Sequence, residues 1–471
     1  MKQEIKINYY KVIVFIILTP LFFLVTFKLR NLFLDDAYIT LTYSKNLFFF
    51  NKPYYNVNDK YQGNGQTSII WMLIQTSFFY FKSISPIILN KAIGVFLYLI
   101  IIIKALIHLK TKNIQLNFYT FFLFILYTYW ASLNISHGLE TFFYSFILLF
   151  FLIYSKSSKS LIFIFILPFI RPDAIIISFF NIAQIRKFDK LSIKKIVAFS
   201  LSIIGYLLYQ NYYYDVIIPL PFILKTVYEF SQAKILNFFF YVGLFLPVLI
   251  YSLINFKTKL FFYLPLFFYL FYYSFFVDEV MNIFDRYTFP LLAYLIYFLL
   301  YEDISSYFKK FKILFIISLI SIFYFIKNFN KEQDYIENNY YSLMVNGPIK
   351  IGKLLNKLKF EDNKPLNIAT SDAGAIAYFS NSNCYDTWGL NNATLLLTKK
   401  DMDWGNYLNY LKKSELDYII LISTDYDKYK PKLDFENKIY KYYKLDNKKL
   451  IYKSNTTKNY VYFIYKIKSN D

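Results

Sequence analysis

Two adjacent carboxylates open the run Leu34-Asp35-Asp36-Ala37-Tyr38-Ile39-Thr40, directly after an apolar segment. Neighbouring like charges raise the pKa of one carboxyl, which suits a general base; the same pair at a helix start would instead serve as a cap and favour the helix dipole. Ser136-His137-Gly138-Leu139-Glu140 offers an imidazole and a carboxylate to a polar substrate, or forms a solvated helix start. Arg171-Pro172-Asp173 interrupts an apolar stretch. A cation in such a place needs an anionic partner, either a phosphate or the chain's own Asp173 or Glu140. Lys225, closing Pro219-Leu220-Pro221-Phe222-Ile223-Leu224-Lys225, and Arg286, in Asp285-Arg286-Tyr287, are further cations of this kind. A base facing three separated cations across a cavity is the equipment for transfer from a phosphorylated lipid. Gly63-Asn64-Gly65-Gln66-Thr67-Ser68 has the glycines of a phosphate loop but neither its lysine nor a preceding strand; a turn leading into a helix with Trp71 is the better reading.

The elements that must position these residues follow from composition. Of 471 residues 57% are apolar, 23% aromatic and 18% charged, against about 45–50% apolar and about 25% charged in an ordinary soluble domain. Residues 1–330 hold 30 Lys+Arg and 14 Asp+Glu, a net +16, and residues 331–471 hold 22 and 17, a net +5. The front is therefore a membrane block with basic clusters between apolar runs, and the tail an ordinary polar domain; a nucleic-acid partner does not fit that distribution. Cys384, His108 and His137 are the whole cysteine and histidine content, which excludes an intrachain disulfide and a Cys/His zinc site. A divalent cation would need oxygen ligands, for which Asp35 and Asp36 are the candidates.

Apolar runs near 12–30, 86–109, 117–135, 140–154, 160–170, 174–185, 195–214, 236–254, 260–277, 287–302 and 312–329 predict about eleven spans. The fifth and sixth are short and flank Arg171-Pro172-Asp173, as two half-helices or one kinked helix; 68–81 is predicted to be interfacial. Lys2, Lys6 and Lys11 precede the first run with no small-residue cleavage site after it, which predicts an uncleaved anchor with a cytoplasmic N-terminus. The clusters Lys110/Lys112, Lys156/Lys159, Arg186/Lys187/Lys190/Lys194/Lys195, Lys257/Lys259 and Lys309/Lys310/Lys312 then all fall on the cytoplasmic side, as the positive-inside rule requires. Asp35, Asp36, Asp59, Glu140, Asp173, Asp215, Glu229, Asp278, Glu279 and Asp285 fall outside, and only Glu4, Asp189, Glu302 and Asp303 inside. Avoidance of the basic face or an extracytoplasmic active site would each produce that skew. The tail, also outside, reads as a small α/β domain: 345–359 has helical period, and 366–370 and 418–422 read as buried strands.

Asp35-Asp36-Ala37-Tyr38-Ile39 with Tyr43-Ser44-Lys45-Asn46-Leu47 resembles the first-loop signature of GT-C-type membrane glycosyltransferases, closest to the terminal arabinofuranosyltransferase-like group and its bacterial relatives. His137-Gly138-Leu139-Glu140-Thr141, Arg171-Pro172-Asp173-Ala174, Pro219–Lys225 and Arg286-Tyr287 resemble later motifs of that group in the same order. Ala369-Thr370-Ser371-Asp372-Ala373-Gly374-Ala375-Ile376 and Asp386-Thr387-Trp388-Gly389-Leu390 resemble its soluble domain. The match covers about residues 30–395, and the ordered set rather than any single motif carries it. The resemblance implies a polyprenyl-phosphate-sugar donor and an extracytoplasmic glycan or glycolipid acceptor at a bacterial inner membrane. By it, Asp35 is the base, Asp36 its orienter or a metal ligand, and Arg171, Lys225 and Arg286 are donor-phosphate candidates. His137, Glu140, Asp372 and Trp388 are sugar or acceptor contacts, although the plainer reading of Asp372 and Trp388 is a turn residue and a core anchor. The run Tyr61-Gln62-Gly63-Asn64-Gly65-Gln66-Thr67-Ser68-Ile69-Ile70-Trp71 departs from the family pattern, so arabinose is not carried over. The expected activity is inverting hexosyl or pentosyl transfer; the alternatives are an O-antigen-polymerase-type enzyme or a polytopic transporter or lipid flippase.

Overall fold

The computed structural model describes residues 9–57, 63–111, 118–184, 189–227, 230–278, 282–302, 307, 310–362, 365–454, 456, 457 and 459–467. Of the residues singled out above, Lys2, Glu4, Lys6, Asp59, Tyr61, Gln62, Lys112, Arg186, Lys187, Glu229, Glu279, Asp303 and Lys309 lie outside the described residues. In chain order the first helices are α1 (Tyr9–Lys28), α2 (Asp35–Phe50), α3 (Ile69–Phe78), α4 (Pro86–Thr111), α5 (Phe118–Ser136), α6 (Thr141–Tyr154) and α7 (Ser160–Ile170). They are followed by α8 (Ile175–Ala183), α9 (Lys190–Tyr214), α10 (Leu220–Leu224), α11 (Gln232–Ile254), α12 (Phe256–Phe275) and α13 (Leu292–Tyr301). The chain folds as two units. One comprises Met1–Leu32, Ile87–Gly205 and Thr226–Gln333; the other comprises Phe33–Pro86, Tyr206–Lys225 and Asp334–Asp471. The first loop, predicted to belong with the membrane block, thus shares a unit with the tail.

The first unit is helical. Within it α1 packs on α5, α6 on α7 and α13, and α12 on α8 and α11. The predicted break at Arg171 is real: α7 ends at Ile170, a 3-10 turn spans Pro172–Ala174, and α8 follows. Proline fixes φ and lacks an N–H donor, so Pro172 starts the new turn instead of continuing the old helix.

Eleven spans are not supported. Among the described residues five helices are long and apolar enough to cross a membrane: Pro86–Leu109, Lys190–Tyr214, Gln232–Ile254, Ile283–Tyr301 and Lys312–Lys359. Several could do so; in α9 only 11% of the apolar window is buried, with Leu201, Ile204 and Leu208 53–64% exposed, a surface suited to hydrocarbon. Counting apolar runs overestimated the number because α6, α7 and α8 have 14, 11 and 9 residues, and at 1.5 Å per residue none reaches the roughly 30 Å of a bilayer core. Helix α12 has 20 residues but is diluted by Tyr263, Tyr269, Tyr272, Tyr273, Lys257 and Lys259.

In the second unit a five-stranded mixed sheet has the order β2-β1-β3-β5-β4, with β1 Asn367–Thr370, β2 Asn383–Asp386, β3 Tyr418–Ser423, β4 Lys449–Lys453 and β5 Val461–Lys466. Strand β1 is parallel to β2 and β3, while β5 runs antiparallel to β3 and β4. All six residues of β3 are buried, as expected of an apolar, β-branched run covered on both faces. One core joins the sheet to the first loop through Ile39, Tyr43, Tyr55, Met72, Ile368, Ile376, Ile420 and Tyr462. The predicted strands at 366–370 and 418–422 appear as β1 and β3, and a helix, α3, forms within 68–81. The predicted helix at 345–359 is a π turn, Val345–Ile349, leading into the helix Lys350–Asp362.

Candidate functional site

In an open α/β sheet the crevice at the carboxyl ends of the strands, where strand order reverses, is the usual place for ligands. Here that point lies between β1 and β3, and the first residues beyond β1 are Ser371 and Asp372. Asp35, the first residue of α2, enters this region. Its Oδ2 accepts the Gly374 N–H at 3.0 Å and its Oδ1 the Ala375 N–H at 2.8 Å. The Asp35 N–H donates to the Tyr340 hydroxyl at 3.2 Å. Asp35 is 9% exposed. Burial, then the nearby Asp372 carboxylate, pushes its carboxyl up to about 8, against the opposing pull of the two backbone donors. Gly374 makes this approach feasible, because a Cβ there would lie 2.0 Å from the Asp35 carbonyl oxygen.

Asp372 is half-buried and accepts from Tyr460 at 2.8 Å and from Tyr462; burial raises its carboxyl too. Behind it Glu436 is fully buried and accepts from the Ser371 hydroxyl at 2.7 Å and the Ile422 N–H at 2.9 Å. Burial moves Glu436 up to about 8. Three carboxyls therefore favour protonation within one crevice.

Asp36 adds its charge to those of Asp35 and Asp372 but is held by a different partner. Its Oδ2 is 3.2 Å from Lys225 Nζ, and both side chains are 18% exposed. Residues 189 apart in sequence meet here because the glycine-rich turn holds the lysine's loop. Asn64 O accepts the Leu220 N–H at 2.9 Å, and Asn64 Nδ2 donates to Gln210 at 2.9 Å. Gly63, at φ +70°, has Leu220 Cδ1 2.6 Å from where a Cβ would stand, and Gly65 has Asn391 Oδ1 at 2.0 Å. These glycines let three segments touch; they cradle protein rather than phosphate. The ion pair contributes only about 0–1 kcal/mol at such partial exposure, so its value is in position. As for a cation at Asp35 and Asp36, among the described residues no group of three or more His, Cys, Asp or Glu side chains could hold a metal ion, and both Asp35 oxygens already carry backbone donors.

Trp388 is half-buried, with Lys399 4.7 Å above its ring and Phe435 edge-on at 5.6 Å. Its backbone N–H bonds the buried Asp386 carboxylate, which also takes the Gly389 and Asn391 N–H groups.

The remaining predicted residues lie in the first unit. Arg171 is 8% exposed; its Nε is 3.1 Å from Asp173 Oδ1 and its Nη2 donates to Tyr273 at 2.7 Å. The internal pair weighed from the sequence is thus present, and Glu140, half-exposed at the start of α6, also interacts electrostatically with Arg171. Tyr273 stacks on Tyr287 with centroids 5.7 Å apart and planes 8° apart. Arg286 lies 5.0 Å from the Tyr287 ring and donates to its hydroxyl at 3.2 Å. Two stacked tyrosines therefore link Arg171 to Arg286. His137 is fully buried and stacks on Phe284 at 5.4 Å. Phe284 and Asp285 both have positive φ, 52° and 47°, a conformation costing about 1–3 kcal/mol per residue. It is held by Trp130 Nε1 donating to the Phe284 carbonyl at 2.6 Å and by the Phe284 N–H bonding Glu332 at 2.7 Å.

Sequence reasoning missed Tyr273, Tyr340, Tyr460, Tyr462 and Glu436, and named Tyr287 only as part of the Arg286-Tyr287 motif. With 49 tyrosines in the chain, none stood out by type. Tyr340 in addition ends a π turn, Ile336–Tyr340, an irregularity often found at functional sites but without a sequence signature.

Residues 334–465 match a family described as "Domain of unknown function (DUF8728)", which covers the tail and not residues 1–333. No curated protein matches the chain.

Proposed function

We propose that this chain transfers a sugar, with inversion, from a polyprenyl-phosphate donor to a cell-envelope glycan or glycolipid on the extracytoplasmic face of a bacterial inner membrane. The observation that carries the reading is the 3.2 Å approach of Lys225 to Asp36, which joins a carboxylate of the first loop to a cation of the Pro219–Lys225 segment. The apolar helices, and an apolar groove of about 500 Å³ lined by Ile175, Phe179, Phe180, Phe199, Ile203 and Phe268, suit a lipid-linked substrate. The geometry favours exchanging the two acidic roles expected from the sequence. Asp35 spends both oxygens on the Gly374 and Ala375 N–H groups and positions α2; Asp36, the more accessible, is the base.

In this mechanism Asp36 takes the proton of the acceptor hydroxyl as its oxygen attacks the anomeric carbon. The bond from that carbon to the phosphate oxygen breaks, and the lipid phosphate leaves as an anion on the face of the sugar away from Asp36, so Lys225 must release Asp36 to accompany it. It needs no acid catalyst. Arg171 and Arg286, the other cations expected at the phosphate, belong to the first unit, where Arg171 is held by Asp173.

The test is Asp36→Asn, assayed with a panel of radiolabelled polyprenyl-phosphate sugars and envelope glycan acceptors. Transfer should fall by about 10²–10⁴-fold while thermal unfolding stays as in wild type. Wild-type turnover in Asp36→Asn removes it as the base, and absence of transfer by wild type with every donor removes the reading.

A further inference from the structure

Away from these residues, the first unit has an open groove of about 420 Å³ where the C-terminal ends of α4, α6 and α13 come together, lined by Ile100, Ile103, Ile107, Phe150 and Tyr301 together with Lys104, His108 and Thr111. Lys104 lies seven residues before Thr111, the last residue of α4, and so about 10 Å inside that helix end. An ionisable group at such depth in a spanning helix is a functional residue by default. Its ammonium rests 5.5 Å from the Phe150 ring and 5.6 Å from the Tyr154 ring. Among the described residues no hydrogen bond or ion pair engages it. Cation–π contact recovers only part of the cost of a charge in hydrocarbon.

A second ammonium, that of Lys159, lies 5.0 Å from the same Tyr154 ring. The carboxylate nearest in sequence to the lining, Glu302, is already held by Lys259, by Tyr251 at 2.9 Å and by Tyr263 at 3.3 Å. Two cations with no described carboxylate between them thus share the Tyr154 ring beside a groove whose residues Ile103 and Ile107 are 52% and 58% exposed. Apolar length plus an unanswered positive end is the complement of a lipid that carries net negative charge in its headgroup; basic pockets between membrane helices are where such headgroups bind.

We propose that this groove binds an anionic glycerophospholipid, with an acyl chain along Ile100, Ile103, Ile107 and Phe150 and the phosphate at Lys104 and Lys159. The site is independent of the proposed sugar transfer and needs none of its residues.

The test is lipid titration of the full chain, purified in neutral detergent, followed by native mass spectrometry with phosphatidylglycerol or phosphatidylcholine. Phosphatidylglycerol should bind at least about tenfold more tightly, since each nearby lysine contributes about fivefold. Lys104→Met should cost about fivefold and Lys104→Met with Lys159→Gln about 25-fold. Ile107→Trp, which fills the slot, should abolish binding while both lysines remain. Lys104→Arg should retain the preference, which keeps the test open if methionine at 104 prevents folding. Equal affinity for the two lipids, or unchanged phosphatidylglycerol binding in Lys104→Met or Ile107→Trp, overturns the proposal. So does displacement of the lipid by millimolar inorganic phosphate.

Discussion

Replacing Gly374 with alanine attacks the contact on which the second unit's carboxyl crevice depends. The new Cβ would stand 2.0 Å from the Asp35 carbonyl oxygen and 2.5 Å from its Oδ2. The first of these is backbone, so no side-chain rotation relieves it; either the start of α2 or the loop after β1 must retreat. In both cases the Gly374 and Ala375 N–H groups lose the Asp35 carboxyl. Hydrogen bonds to such a group contribute about 1–3 kcal/mol each, and alanine returns about 0.4–1 kcal/mol by restricting the unfolded chain. The net loss is roughly 1–5 kcal/mol, a large part of the about 5–15 kcal/mol that holds a domain together. Hydrogen–deuterium exchange read by mass spectrometry measures this locally. At about 1.4 kcal/mol per tenfold, amides in the helix Ala375–Ser380 should exchange at least ~5-fold faster. Gly405→Ala is the control, because the nearest atom to its Cβ is Asp403 Oδ1 at an ordinary 3.6 Å; it should be neutral or stabilising by up to about 1 kcal/mol. Wild-type exchange across 375–380 in Gly374→Ala would show that Asp35 does not anchor this helix.

Three other outcomes follow from the same geometry. Lys225→Met should raise the donor KM and leave thermal unfolding within about 1 kcal/mol of wild type, since a partly exposed ion pair contributes little; an unchanged donor dependence in transfer assays would end its role at the phosphate. Glu436 is raised by burial to about 8, so its stabilising contribution is complete below its unfolded value near 4.3 and is lost as pH rises through about 8. Glu436→Gln imitates the protonated form and should flatten that decline, unfolding at a higher temperature than wild type at pH 8.5 and at a similar one at pH 5; parallel pH profiles would contradict the assignment. Trp130→Phe removes the donor to the buried Phe284 carbonyl and should destabilise the first unit by about 1–3 kcal/mol, with faster exchange across 284–288; unaltered exchange there would mean that the left-handed pair does not rely on Trp130.

What the sequence made legible was local. An apolar β-branched run became β3, and a proline after an arginine became a helix break. Run length misjudged the spans, because hydropathy sums do not see where a helix stops. The glycine-rich turn leads into α3, as expected, yet nothing in its spelling tells that Gly63 and Gly65 exist so that Leu220 and Asn391 can approach. The acidic pair shows the limit most clearly. Side by side in sequence, Asp35 and Asp36 are equivalent, and each could have been the base or the cap. Successive residues of a helix point about 100° apart, so a helix beginning at Asp35 cannot turn both carboxyls the same way. Asp35 meets the N–H groups of residues 374 and 375, and Asp36 meets Lys225. The division of labour between them is set by a partner more than 300 residues away and by the angular step of a helix. Asp35 thus serves the start of another segment's helix rather than capping its own, whose N-cap is Leu34 without a side-chain bond, while Asp36 on the next face is the proposed base.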